Sequence, residues 1–384
     1  MLTKSARQNQ SHITPTERFA NIDALRGLAA LLVVFAHTAE IAIQHASTPV
    51  AIDTLISSLA NRADLGRIGV IAFFCISGYL IPMTMRGAGV AGAISFAIRR
   101  STRLYPAYWF SLLAILMTLH FGLGQQFSPP TIAASLTLVP DALGFAPIMG
   151  HYWTLEVEVA FYILCAIIFL LGFTRSGAVL LSLMLLCFML AGIFDPRVAP
   201  HLGLGTGANA LVRMSLLGLG LMFWASSLRM LREHLMTSRL QRLLVVAVGG
   251  FFGGALTLTG LIFLALEITG DLTRQLLGTG FGVSIFLITL KARTAPNFAL
   301  SLGKWSYSIY LIHPVPLYWF HSLATRGAFG QIEGSIVVPA IIVVSGLTIL
   351  LAACIYRLIE IPAIEWGHAQ SREIERRAIV TVTN

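Results

Sequence analysis

Apolar residues run through this chain in blocks near twenty long, separated by short polar stretches that hold most of the charge. A helix rises about 1.5 Å per residue, so about twenty apolar residues cover the ~30 Å hydrocarbon layer of a bilayer. Ten blocks fit that length: 24–45, 67–85, 104–122, 152–173, 176–194, 207–227, 243–265, 275–291, 302–324 and 336–358. The ninth is interrupted by Lys304, His313, Pro314, Pro316 and His321. The pattern predicts an all-α polytopic membrane protein of about ten transmembrane helices. It divides the chain into an N-terminal segment 1–23, one transmembrane domain 24–358 and a tail 359–384. The polar stretch before the first block has no hydrophobic signal core and no small-residue cleavage site, so the first helix itself is expected to direct insertion. We find no internal repeat and no low-complexity tract.

Composition narrows the class. With 56% hydrophobic and only 11% charged residues among 384, no ordinary water-facing surface can be built. The four cysteines, Cys75, Cys165, Cys187 and Cys354, sit in apolar stretches without metal-ligand or redox spacing, which argues against a disulfide scaffold and a metal site. The net charge of +9 does not indicate a nucleic-acid partner, because the basic residues recur between apolar blocks and form no single patch.

That recurrence sets orientation instead. Placing the N-terminus inside puts Lys4, Arg7, Arg18, Arg26, Arg86, Arg99, Arg100, Arg103, Arg175, Arg229, Arg232, Arg239, Arg242, Lys291, Arg293, Lys304, Arg357, Arg372, Arg376 and Arg377 on the cytoplasmic side. The other side receives Arg62, Arg67, Arg197, Arg274 and Arg326, and Arg213 falls within the sixth block. The positive-inside bias therefore predicts both termini in the cytoplasm. The expected location is the cell's inner or cytoplasmic membrane.

An ionisable side chain at bilayer depth is costly, so each is a candidate for function. Arg26 and His37 are eleven residues apart, which returns a helix to within about 20° of its starting direction, roughly 16 Å further along. One face thus carries an anion-guiding arginine and, near mid-membrane, a proton acceptor. Arg99, Arg100 and Arg103 cluster after the second block in a spacing suited to phosphate. The fourth block opens His151-Tyr152-Trp153-Thr154-Leu155-Glu156-Val157-Glu158, with Glu158 at a depth comparable to His37 and Glu156 pointing elsewhere. A structural alternative for Glu158 is an ion pair with Arg213. In the ninth block Ser306, Tyr310 and His313 share a face, and Pro314 and Pro316 free backbone carbonyls beside them.

Together these passages resemble the acyltransferase 3 family of integral membrane acyltransferases. The resemblance rests on Arg26 and His37 in the first block, on Phe73-Phe74-Cys75-Ile76-Ser77-Gly78-Tyr79-Leu80, and on Arg100-x-x-Arg103 followed by Leu-Tyr-Pro. It continues in Trp153-Thr-Leu-x-x-Glu158-x-x-Phe-Tyr, in Ser306-Tyr307-Ser308-Ile309-Tyr310-Leu311-Ile312-His313 and in Glu360-Ile361-Pro362. Where the family usually has a double acid, this chain has Glu158-Val159, so the second carboxylate is missing and its role is not transferred to Glu156. The resemblance implies transfer of an acyl group, commonly acetyl from acetyl-CoA, to a hydroxyl of a glycan, lipid-linked sugar or small molecule. It also implies that His37 is catalytic with Glu158 in support, and that Arg26, Arg100 and Arg103 handle the donor.

Such a transfer needs a base for the acceptor proton, stabilisation of the tetrahedral oxyanion, and an anchor for the polyanionic donor. We expect Arg99, Arg100 and Arg103, with Arg26, to hold the phosphates of acetyl-CoA or another acyl-CoA. His37 would deprotonate the acceptor or carry the acyl group itself. Glu158 would orient His37 or the acceptor, Tyr310 or His313 would meet the oxyanion, and Tyr310, His313 and Trp153 would contact substrate. The Pro- and Gly-containing loop from Gly122 to His151 is either a cap over the acceptor or a solvent loop. The competing class is a proton-coupled secondary transporter, which also places His and Glu near the midplane beside a broken helix. The arginine cluster suits a nucleotide donor better than a small solute.

Overall fold

The computed structural model describes residues 17–46, 50–195, 198–202, 209–292, 295–328 and 335–383. Lys4, Arg7, Arg197 and Arg293, used above for orientation, lie outside the described residues. Every regular element among the described residues is helical. Eight helices are long and apolar enough to cross a membrane, and a further apolar helix, α7 (Gly177–Ile193), has 17 residues.

The helix α1 (Glu17–Gln44) is the hub, packed against α3 (Leu65–Leu80), α12 (Asn297–Ile312) and α14 (Val337–Ile355). Lipid tails are as apolar as leucine, so membrane helices associate through close packing at small residues. That explains the seam: Ala29 and Ala30 are fully buried, and a Cβ on Gly303 of α12 would stand 2.0 Å from the Asp23 carbonyl oxygen of α1. The crossing of α3 with α8 (Asn209–Arg232) uses the same device, since a Cβ on Gly78 would stand 2.1 Å from the Met222 carbonyl oxygen. Ser226 of α8 closes that contact by donating to the Gly78 carbonyl at 2.8 Å.

Two places depart from the expected spans. The ninth block is not one helix: α12 ends at Ile312, and α13 (Pro314–Thr325) starts with Pro314 at its first position. Proline lacks an N–H, so the carbonyl of Tyr310, four residues earlier, loses its helical donor. The loop after α4 (Gly89–Leu123), expected as either a cap or a solvent loop, has secondary structure of its own, and its last residues, Met149 to His151, line a cavity described below. It folds back along α4 and forms α5 (Pro129–Leu136), whose last carbonyls take bonds from α4. Tyr108 OH donates to the Ser135 carbonyl at 2.6 Å and Trp109 Nε1 to that of Leu136 at 2.9 Å. Tyr108 is fifteen residues, roughly 22 Å of helix, before the end of α4, so the segment doubles back about that far along it. These aromatic donors satisfy carbonyls of the last turn of α5, which have no partner within the helix. As a result the start of α6 (Trp153–Leu170), just after His151, lies beside His37 in the second half of α1.

At the other end, α14 continues through a π-helical turn at Tyr356–Glu360 into α15 (Ile361–Thr383). Glu360 is buried in that turn and accepts a hydrogen bond from Ser308 of α12. The segment expected as a polar tail is thus a helix, packed on the arginine-bearing start of α4. Ser371 and Ser95 exchange bonds to each other's carbonyls at 3.0 and 3.2 Å, and Gly367 sits against Thr102.

Candidate functional site

The polar residues singled out above gather around two cavities. The first, about 190 Å³, is lined by Arg26, Ser77, Arg100, Arg103, Glu158, Tyr162 and Ser306. The second, about 690 Å³, is lined by His37, Glu40, Asp64, Arg67, His151, Trp153, His313 and His321. Val70, Thr154 and Tyr310 line both, so a partition one side chain thick separates them. The hydroxyls of Thr154 and Tyr310 close it with a hydrogen bond of 2.7 Å.

Arg26 and His37 do share a face of α1, but their separation along the axis puts them in different chambers. Glu158 therefore does not orient His37. Its Oε1 accepts bonds from Tyr162 OH at 2.5 Å and Ser77 Oγ at 3.2 Å, in the arginine-lined cavity. Nor does it pair with Arg213, which binds Asp195 at 2.9 Å and Gln275 at 3.1 Å. Arg100 lies over the rings of Tyr162 and Phe96, 5.3 and 5.5 Å from their centroids, and donates to Thr84 Oγ1 at 2.8 Å. Arg99 does not line this cavity; it pairs with Glu375 of α15 at 3.0 Å. Glu156 points away, accepting from the Asp141 N–H at 3.0 Å.

The partner of His37 is His313, with Nδ1 and Nε2 3.0 Å apart and the rings stacked at 27°. The protons in this pair can be assigned from the backbone. His313 Nδ1 lies 2.7 Å from the Tyr310 carbonyl, the one that Pro314 leaves without a helical donor. A carbonyl only accepts, so Nδ1 carries the proton and Nε2 of neutral His313 is an acceptor. His37 Nδ1 must then donate, which leaves His37 Nε2 with a free lone pair, the form a general base requires.

The same accounting removes two expected oxyanion donors. Tyr310 OH gives its proton to the His151 carbonyl at 2.7 Å, and His313 gives its own to Tyr310. Both are therefore committed in this arrangement. Among the described residues, the buried polar atoms without a partner include Ser306 Oγ beside the arginine-lined cavity and His151 Nε2 beside the histidine-lined one. His151, whose ring centroid is 5.0 Å from that of His313 and 6.3 Å from that of His37, is the residue the sequence argument missed. Its only sequence signal was its place two residues before Trp153, a neighbourhood read for its carboxylates. Trp153 lines the histidine chamber and packs edge-on against Phe74.

Among the described residues no three His, Cys, Asp or Glu side chains are placed to hold a metal ion. The arrangement offers a polar chamber with an unprotonated imidazole nitrogen, a second chamber rich in guanidinium, and a thin wall between them. No curated protein and no solved structure matches the chain. The profile of the acyltransferase domain matches residues 19–357, nearly its whole length and every helix that lines the two chambers. By that match the chain belongs to the acyltransferase 3 family, and it is a multi-pass membrane protein that transfers acyl groups.

Proposed function

We propose that this protein is an O-acyltransferase that takes an acyl group, most simply acetyl, from acyl-CoA and delivers it to a hydroxyl of a glycan, lipid-linked sugar or small molecule. The observation that carries this reading is the two-chamber site. A polyanionic donor needs cations, which Arg26, Arg100 and Arg103 supply in one chamber. A hydroxyl acceptor needs a base, which His37 Nε2 supplies in the other. Glu158 then belongs with the donor: it offsets the guanidinium charge and, through Ser77 and Tyr162, fixes the wall around it.

In this scheme the acyl-pantetheine arm enters the arginine-lined chamber and its thioester meets the acceptor where the Thr154–Tyr310 bond opens. The acceptor O–H passes its proton to His37 Nε2 and the oxygen attacks the thioester carbonyl carbon. The C–S bond breaks, and the CoA thiolate leaves and recovers the proton from the His37 imidazolium. Ten spans with both termini in the cytoplasm of the inner or cytoplasmic membrane would place the arginine chamber toward cytosolic CoA and the histidine chamber toward the outside. The broken ninth span would count as one crossing.

The test is transfer from acyl-labelled acyl-CoA in membranes. Wild-type membranes should place label on a recoverable polysaccharide, lipid or small molecule. His37→Ala at equal protein level should lose this by about 10²- to 10⁴-fold, the usual worth of a general base. Full activity in that variant removes His37 from the reaction. Proton-linked solute uptake without any labelled product would establish the carrier instead.

A further inference from the structure

A third cavity, about 370 Å³, adjoins the arginine-lined chamber and shares Thr84, Arg100 and Arg103 with it. Its outer wall comes from elements outside that chamber: Arg86 after α3, and His368 and Arg372 on α15. The two α15 residues are four apart and so stand one above the other on one helix face. The serine exchange at Ser95 and Ser371 and the close contact of Gly367 with Thr102 hold that face over Arg99 and Arg103. Five arginines line the cavity against one carboxylate, Glu375, which already pairs with Arg99. Among the described residues Arg86, Arg103 and Arg372 form no ion pair. Such an excess of unpaired guanidinium in a concave site is stable chiefly when an anion of matching charge occupies it.

We infer that this cavity binds the 3′-phosphorylated adenosine diphosphate end of the donor, with Arg86, His368 and Arg372 as the recognition groups for the 3′-phosphate. The inference rests on the acyl-CoA reading above and extends it to a part of the chain beyond the matched domain, which ends at residue 357. A diphosphate diester and a phosphate monoester together carry roughly four negative charges near neutral pH, against an excess of four cations in the cavity. The shared wall at Arg100 and Arg103 is where a diphosphate would sit if the pantetheine arm runs inward. The third phosphate then falls on the α15 side, where only a 3′-phosphorylated nucleotide has charge to offer.

The experiment is equilibrium binding of CoA and of dephospho-CoA to the purified full-length protein in nanodiscs of phosphatidylcholine. The wild type should bind CoA at least about tenfold more tightly than dephospho-CoA, the range a charge-assisted phosphate contact gives. Arg372→Gln and Arg86→Gln, which lie on separate elements, should each shrink that preference to under about threefold. Arg376→Gln, on α15 but outside the cavity, should keep it in full. Equal wild-type affinity for the two nucleotides overturns the assignment while leaving the acyl-CoA reading intact. Absence of binding by either overturns both. Nanodiscs containing phosphatidylglycerol separate a lipid source for the phosphate. If Arg372 governs retention of that lipid while the two nucleotides bind equally, the cavity is a headgroup site and the inference fails.

Discussion

His37 Nδ1 lies 3.0 Å from His313 Nε2, and the proline that follows His313 decides which of these nitrogens bears the proton. Because Pro314 cannot donate to the Tyr310 carbonyl, His313 does, and the remaining lone pairs are fixed in sequence as far as His37 Nε2. Replacing His313 by Ala should therefore lower labelled acyl transfer by about 10²-fold, as expected for a base left in mixed tautomers, with donor KM unchanged. His313→Gln can accept from His37 Nδ1 through its amide oxygen and should recover part of the loss. Equal activities of the Ala and Gln variants would show that a hydrogen-bond acceptor at this position does not govern the His37 tautomer.

Arg100→Ala combined with Arg103→Ala should raise donor KM by at least about tenfold, since each charged hydrogen bond to phosphate is worth about 1.5–3 kcal/mol. The wild-type KM should climb with salt, because counterions screen the guanidinium field, and the double variant should lose most of that dependence. Kinetics at two ionic strengths read both effects. A donor KM that does not move would assign these residues to membrane orientation.

The α1–α12 crossing tolerates no side chain at Gly303, where a Cβ would meet the Asp23 carbonyl oxygen at 2.0 Å. Gly303→Ala should force the two helices apart, carrying His313 from His37, and should reduce both folded yield and activity. Gly346→Ala is the matched comparison, because nothing lies within 4 Å of its added methyl. That change should leave yield intact or raise it, as alanine favours a helix over glycine by up to about 1 kcal/mol. Fluorescence-detected size exclusion from membranes reports both.

Orientation can be read from single cysteines labelled by a membrane-impermeant thiol reagent in a Cys354→Ala background, the other three native cysteines being buried. Thr269→Cys, in the loop before α11 (Asp271–Thr289), should react from outside intact cells. Ala369→Cys on α15 should react only after the membrane is opened. The reverse pattern would invert the enzyme and place the arginine chamber away from cytosolic CoA.

Much of this molecule was legible from one dimension. The apolar blocks marked where helices lie because the length of a crossing is set by the bilayer, and the cost of burying charge made Arg26, His37, Arg100, Arg103, Glu158 and His313 stand out one by one. Pro314 announced the break in the ninth block through a rule local to the backbone. What could not be read was who meets whom. Depth along separate helices suggested one chamber for His37 and Glu158, but depth carries no azimuth, and Tyr310 with Thr154 closes a wall between them. The fold-back of α5 onto Tyr108, the placing of His151 beside His37 and the seating of α15 over Arg99 all join residues far apart in the chain. Sequence by itself determined the helices, their polar punctuation and the family, since these follow from local chemistry and bilayer thickness. Only the tertiary structure decided the partition, the proton positions and the third cavity, because contacts across helices depend on close packing at small residues whose rotational setting no single helix encodes.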